Sequence, residues 1–143
     1  MNAEILQEIE KIRQEIFNSY VDKGLVSSGE FGRDLKVNDK GNRVTITAPH
    51  YVYQMEQGRK PGTFPPLEAI KQWIRDKNKT SGTNIPETAA YAIALMIKRN
   101  GINVPNKYNS GGVVSDVLNA QRVERLIIEM NKIVKAKILN ILA

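Results

Sequence analysis

The sequence predicts an α+β fold in one domain spanning residues 1–143: a long N-terminal helix, a short antiparallel β-hairpin, two central helices and a long amphipathic C-terminal helix. Three observations predict it. Apolar residues recur at helical spacing over the first twenty or so positions. The period then switches to two between Leu35 and Ala48. Beyond that, prolines punctuate two further helical patterns before a final apolar stripe that runs almost to the end of the chain.

The first helix is expected from about Ala3 to Lys23. Ile5, Ile9, Ile12, Ile16 and Tyr20 lie three or four residues apart and form one stripe, while Glu8, Glu10, Lys11, Arg13 and Glu15 fill the other faces. Gly24 suits a left-handed cap, with Leu25 as the apolar residue beyond it. A Ser/Gly loop follows at Ser27, Ser28 and Gly29. Leu35 and Val37 alternate with polar neighbours, Asn38 to Asn42 is rich in turn formers, and Val44, Ile46 and Ala48 alternate again. Two strands of a hairpin, each with one apolar face, are the consequence, with Pro49 ending the pairing.

Tyr51 to Gly58 is expected to bend into a short helical turn stopped by Gly58; a continued strand would instead project Tyr51 and Tyr53 to the same side. Arg59 to Pro66 carries three prolines, which fix φ and remove amide donors, so it reads as a stiff loop outside any helix or sheet interior. Pro66 suits the first position of a helix with Leu67, Ile70, Trp73 and Ile74 on its apolar face, ending near Asn78, with Trp73 read as a core residue. A polar connector from Lys79 to Asn84 leads to a second proline-initiated helix, from Pro86 to about Asn100. Its alanines and aliphatics predict close packing on several sides, and Gly101 is its cap. After a loop from Ile102 to Gly112, the last helix is expected to start near Ser115 as N-cap. It would reach Leu142, with Val123, Leu126, Ile127, Met130, Ile133, Val134, Ile138 and Ile141 as its stripe.

Composition narrows the chemistry. Cysteine is absent, which excludes disulfide frameworks, thiol nucleophiles and cysteine-based zinc sites. No stretch approaches the run of about 18 apolar residues that a membrane helix needs. The start, Met1-Asn2-Ala3-Glu4, has the character of neither a signal nor a transit peptide, so no membrane partner is expected. The net charge of +6 and a pI near 9.6 favour nucleic acid or acidic protein partners, although the cations form no continuous block.

No catalytic residue, cofactor site or metal ligand set is expected. His50 is the only histidine and follows Pro49 at a strand end, the place of a turn or surface residue. Glu124 and Glu129 sit among Arg122, Arg125 and Lys132 in the pattern of solvated helix pairs. Gly58-Arg59-Lys60-Pro61-Gly62 superficially resembles a phosphate loop. It lacks the spacing, and Pro61 removes a donor that a phosphate cradle would use. The two central helices make a poor DNA-reading pair, because their connector is long and the second helix is mostly alanine and aliphatic.

One stretch carries a family resemblance. Tyr51-Val52-Tyr53-Gln54-Met55-Glu56-Gln57-Gly58-Arg59-Lys60-Pro61-Gly62, then Phe64-Pro65-Pro66, then Leu67 to Ile74, is similar to the neck and tail-completion proteins of tailed bacteriophages, of the HK97 tail-completion kind. Ala89 to Ile102 continues the pattern, and the long last helix departs from the family's shorter ending. The resemblance implies a non-enzymatic virion subunit, assembled in the host cytoplasm. Its partners would be further copies of itself in a cyclic ring, the portal or connector and tail proteins, and double-stranded DNA in the channel.

A head-to-tail ring needs a projecting feature and a receptive face. The loop Arg59–Pro66 is the expected first, and the apolar surfaces of the first and last helices the second. The candidate interface residues are Tyr51, Tyr53, Glu56, Arg59, Lys60 and Phe64. The alternative reading is a basic nucleic-acid-binding module, and a small hydrolase or toxin is the third.

Overall fold

A computed structural model gives the fold, and the structure describes residues 2–26 and 29–143. The order is α1 (Ala3–Asp22), α2 (Glu30–Asp34), β1 (Lys36–Asp39), β2 (Val44–Thr47), α3 (Val52–Gln57), α4 (Leu67–Ser81), a 3-10 turn (Glu87–Ala89), α5 (Ala90–Asn100) and α6 (Ala120–Leu142). The α+β class, the long first and last helices and the single hairpin are as the sequence predicts. Among the described residues no helix is long and apolar enough to cross a membrane.

Helix α1 opens on the Asn2 side chain, which accepts from the Glu4 amide at 2.8 Å. It ends where Gly24, at φ +69°, turns the chain. The Leu25 amide donates to Tyr20 O and the Gly24 amide to Val21 O, the paired bonds of a Schellman cap. Ile5, Ile12, Ile16 and Tyr20 are buried along its inner face.

The main core gathers Ile12, Ile16 and Tyr20 with Phe31, Leu35 and Val113. Phe31 is fully buried and stacks on Tyr20 with ring centroids 4.1 Å apart. It sits on α2, a helix the periodicity does not predict. A single aromatic between Gly29, Glu30, Gly32 and Arg33 has no apolar companion at helical spacing, so only tertiary packing fixes this turn. Ser27 and Ser28 of the expected loop lie outside the described residues. The hairpin pairs antiparallel, with Val37 opposite Ile46, and packs Ile46 and Ala48 against the same core. Asn38 and Asp39 belong to β1; the turn itself is Lys40 to Arg43, tied by the Gly41 amide to Asp39 Oδ1 at 2.7 Å.

A second, smaller packed zone is the contact between α4 and α5, where Ile74, Ala90 and Ala94 are buried. Several expectations are corrected here. Helix α4 runs past Asn78 to Ser81, because the Asn78 amide reaches out of the helix to hold the connector. Its Nδ2 donates to Ile85 O, and its Oδ1 accepts from the Ile85 amide, both at 2.9 Å. Pro66 and Pro86 each stand one place before the first helical residue, with ψ of 124° and 142°. Trp73 is not a core residue: Ile74 alone fills the interior and Trp73 is 42% exposed. Helix α5 is buried only along Ala90 and Ala94, with Tyr91 and Met96 outside, so its alanines serve one close contact and not packing on several sides.

Helix α6 begins at Ala120, capped by Asn119, whose Oδ1 accepts from the Arg122 amide at 2.9 Å. Ser115 is not its N-cap, because the Ser115 hydroxyl is engaged by Glu56. Lys23 pairs with Asp116 at 2.8 Å, and Arg122 meets Glu15 through two nitrogens at 2.9 and 3.0 Å, so the chain doubles back along α1. The Glu15 hydrogen bonds raise the Arg122 pKa further above its ordinary value. Beyond Ile133 every residue of α6 is exposed.

Glu15→Gln keeps the shape but removes the charge, and with Glu15 partly exposed the expected loss is about 1–2 kcal/mol by urea unfolding. The same substitution at Glu4, outside this pair, is expected to change stability by less than about 0.5 kcal/mol.

Candidate functional site

Helix α3 ends at Gly58 and helix α5 ends at Gly101, both at positive φ (+76° and +67°) with extended ψ (−160° and −164°). That combination is open to glycine and almost closed to other residues. Each glycine hands the chain to the residue that pairs with the other's neighbour. The Arg59 amide donates to Ile102 O at 2.8 Å, and the Ile102 amide to Arg59 O at 2.7 Å. The contact is so close that a Cβ at Gly58 would stand 2.0 Å from Ile102 O, and one at Gly101 2.2 Å from Arg59 O.

A third bond, from the Gly62 amide to Lys98 O at 2.8 Å, lays the proline loop over the last turn of α5. The result is a clasp. It joins the main core, to which α3 belongs, to the α4–α5 pair.

The clasp fixes the stiff loop but leaves its tip outward. Arg59 is half-buried and its Nη2 donates to Thr63 Oγ1 at 3.1 Å across the loop. Lys60 is exposed. Phe64 packs its ring against Tyr91 of α5, centroids 5.6 Å apart. The residues expected to form one interface thus divide. Arg59, Lys60 and Phe64 share the clasp.

The other three are placed by α3. Tyr51 stands at its N-terminus with the ring against the main core, and burial pushes its hydroxyl pKa up to about 12. Tyr53 is 64% exposed. The two tyrosines do not project to one side, because the strand has already ended and helical geometry turns successive side chains by a different angle. Glu56 faces inward. Its Oε1 accepts from the Val114 amide and from the Ser115 amide at 3.3 Å, while the Ser115 hydroxyl donates to Oε2 at 2.9 Å. Glu56 therefore pins the turn that leads into α6. His50 lies exposed in the preceding turn.

Between the two packed zones lies a cleft of about 610 Å³. It is lined by Leu25, Tyr51, Met55, Trp73, Ile102 and Tyr108 among others. Its size and apolar lining are those of a binding cleft. The sequence points to Trp73 only as core, since a tryptophan on an apolar helix face carries the same signal whether covered or lining a cleft.

Comparisons of the chain with protein-family models, with curated proteins and with solved structures return no match. The site is therefore read from its own geometry. Among the described residues no three acidic or histidine side chains converge on a metal-sized space.

Charge is unevenly placed around the clasp. Residues 58–111 hold nine lysines and arginines against Glu68, Asp76 and Glu87, a difference of six that equals the net charge of the whole chain. Two of those acids are already paired, Glu68 with Lys71 and Glu87 with Arg75.

Gly58→Ala and Gly101→Ala are each expected to cost about 2–4 kcal/mol, since positive φ and backbone overlap add. Gly41→Ala, also at positive φ but with open space around it, is expected to cost about 1 kcal/mol. Thermal or urea unfolding of the three variants side by side separates the clasp from an ordinary turn.

Proposed function

We propose that the protein is a structural subunit of a tailed-phage neck or tail-completion ring, joining portal or connector to tail around the DNA channel, with no enzymatic role. The observation that carries this reading is the residue order from Tyr51 to Ile74, with its Glu56-Gln57-Gly58 turn, proline-rich loop and tryptophan-bearing helix.

Two features support it. The proline loop is tied down at its base by three backbone hydrogen bonds, as a contact element must be if it is to keep its shape at an interface. The outer stripe of α6 is uncovered: Ile127 is 53% exposed, Ile138 51% and Ile141 81%. An apolar stripe of that extent on a monomer marks an assembly surface. On the first helix the residues Ile5, Ile12, Ile16 and Tyr20 are buried in the protein itself.

Negative-stain electron microscopy of the purified protein, with native mass measurement, is expected to show closed rings, and antibody labelling to find the protein at the head–tail junction of particles. A chain that stays monomeric at high concentration and is missing from particles would contradict the proposal.

A further inference from the structure

We infer that the clasp is a docking point for the phosphodiester backbone of double-stranded nucleic acid, which the exposed Lys60, Lys98 and Arg99 contact around the half-buried Arg59. The inference deepens the ring reading by naming which surface meets the duplex, and it is testable on the protein alone.

Four cations lie on the two segments that the clasp joins. The Arg59–Ile102 pair and the Gly62-to-Lys98 bond set Arg59 and Lys60 of the loop beside the last turn of α5, where Lys98 and Arg99 lie. Neither strand of the clasp, 58–62 or 98–102, contains an acid. The carboxylate nearest in sequence, Glu56, is committed to Val114 and Ser115. None of the four cations takes part in an ion pair among the described residues.

The negative C-terminal end of α5 accounts for Lys98 and Arg99 by itself. It does not account for Arg59 and Lys60, which the loop bonded to that last turn adds beside it. A group of like charges with no counter-charge of its own is complementary to a polyanion.

The chemistry favours a duplex. Lys60, Lys98 and Arg99 are exposed and long enough to reach successive phosphates, and cations neutralising phosphates give affinity without base reading. Single-strand binding relies on aromatic platforms on which bases stack. The aromatic ring of the loop, Phe64, is already packed on Tyr91.

The test is fluorescence anisotropy of a short labelled duplex titrated with protein across a salt series. Three phosphates neutralised by the exposed Lys60, Lys98 and Arg99 predict a slope of log K against log salt of about −2.7, a weakening of roughly 40-fold from 50 to 200 mM salt. The variant Lys60→Ala/Lys98→Ala/Arg99→Ala is expected to bring the slope close to zero. The matched variant Lys132→Ala/Lys135→Ala/Lys137→Ala removes the same charge from exposed positions of α6 and is expected to leave the slope within about one unit of the parent. Lys60→Ala alone, expected to lower the slope by about 0.9, guards against a folding defect in the triple variant.

Equal losses in the two triple variants, no change in the clasp variant, or no duplex binding at low salt would each overturn the inference. Rings seen by microscopy alongside any of those results would leave the ring reading standing, and duplex binding through the clasp by a protein that forms no ring would do the reverse.

Discussion

The reciprocal backbone pair between Arg59 and Ile102 is the constraint on which the rest of the structure depends. It is a single bridge, far short of a sheet, yet it is the point where the α4–α5 pair is fastened to the main core. Two glycines make it possible, one at the end of each helix, in a conformation that other residues adopt only with strain. The loop that follows contributes prolines at Pro61, Pro65 and Pro66, so little chain entropy remains to be lost when it is tied down. Rigidity here is local and built from sequence, while the cleft beside it follows from two packed zones that meet at their edges.

The same arrangement explains why the molecule presents so much uncovered apolar surface for its size. A main core centred on Phe31 and Tyr20 takes the inner face of α1, the hairpin and the start of α6, and then runs out of partners. The later turns of α6 and the outer face of α5 are left to solvent, with Met96 63% exposed. In an isolated domain such surface is a liability. In a subunit of a larger assembly it is where neighbours pack, and a ring offers each copy two neighbours.

Much of the fold was legible in the sequence where one physical signal dominated. The α1 stripe and its Gly24 cap were set by local periodicity and turn chemistry and stand where those signals put them, and the hairpin forms where the alternation lies, with its first strand running on through Asn38 and Asp39. Legibility failed where a distant partner decided the outcome. Phe31 has no local companion and is organised by Tyr20 across the core. Ser115 has the chemistry of an N-cap, but Glu56 claims its hydroxyl, and the helix begins later at Ala120 with Asn119 as its cap. The clasp shows both sides: Gly58, Gly101 and the proline loop are visible in the sequence as punctuation, while their meeting is not, because nothing local relates positions forty-three residues apart.

Amide hydrogen exchange, resolved residue by residue, tests the central claim most directly. If the clasp fastens the two packed zones, the amides of Arg59, Ile102 and Gly62 exchange slowly, with matching protection, and lose it together when Gly101 is replaced by alanine. Exchange at these three amides at the rate of an open loop, with the helices on either side still protected, would contradict the account.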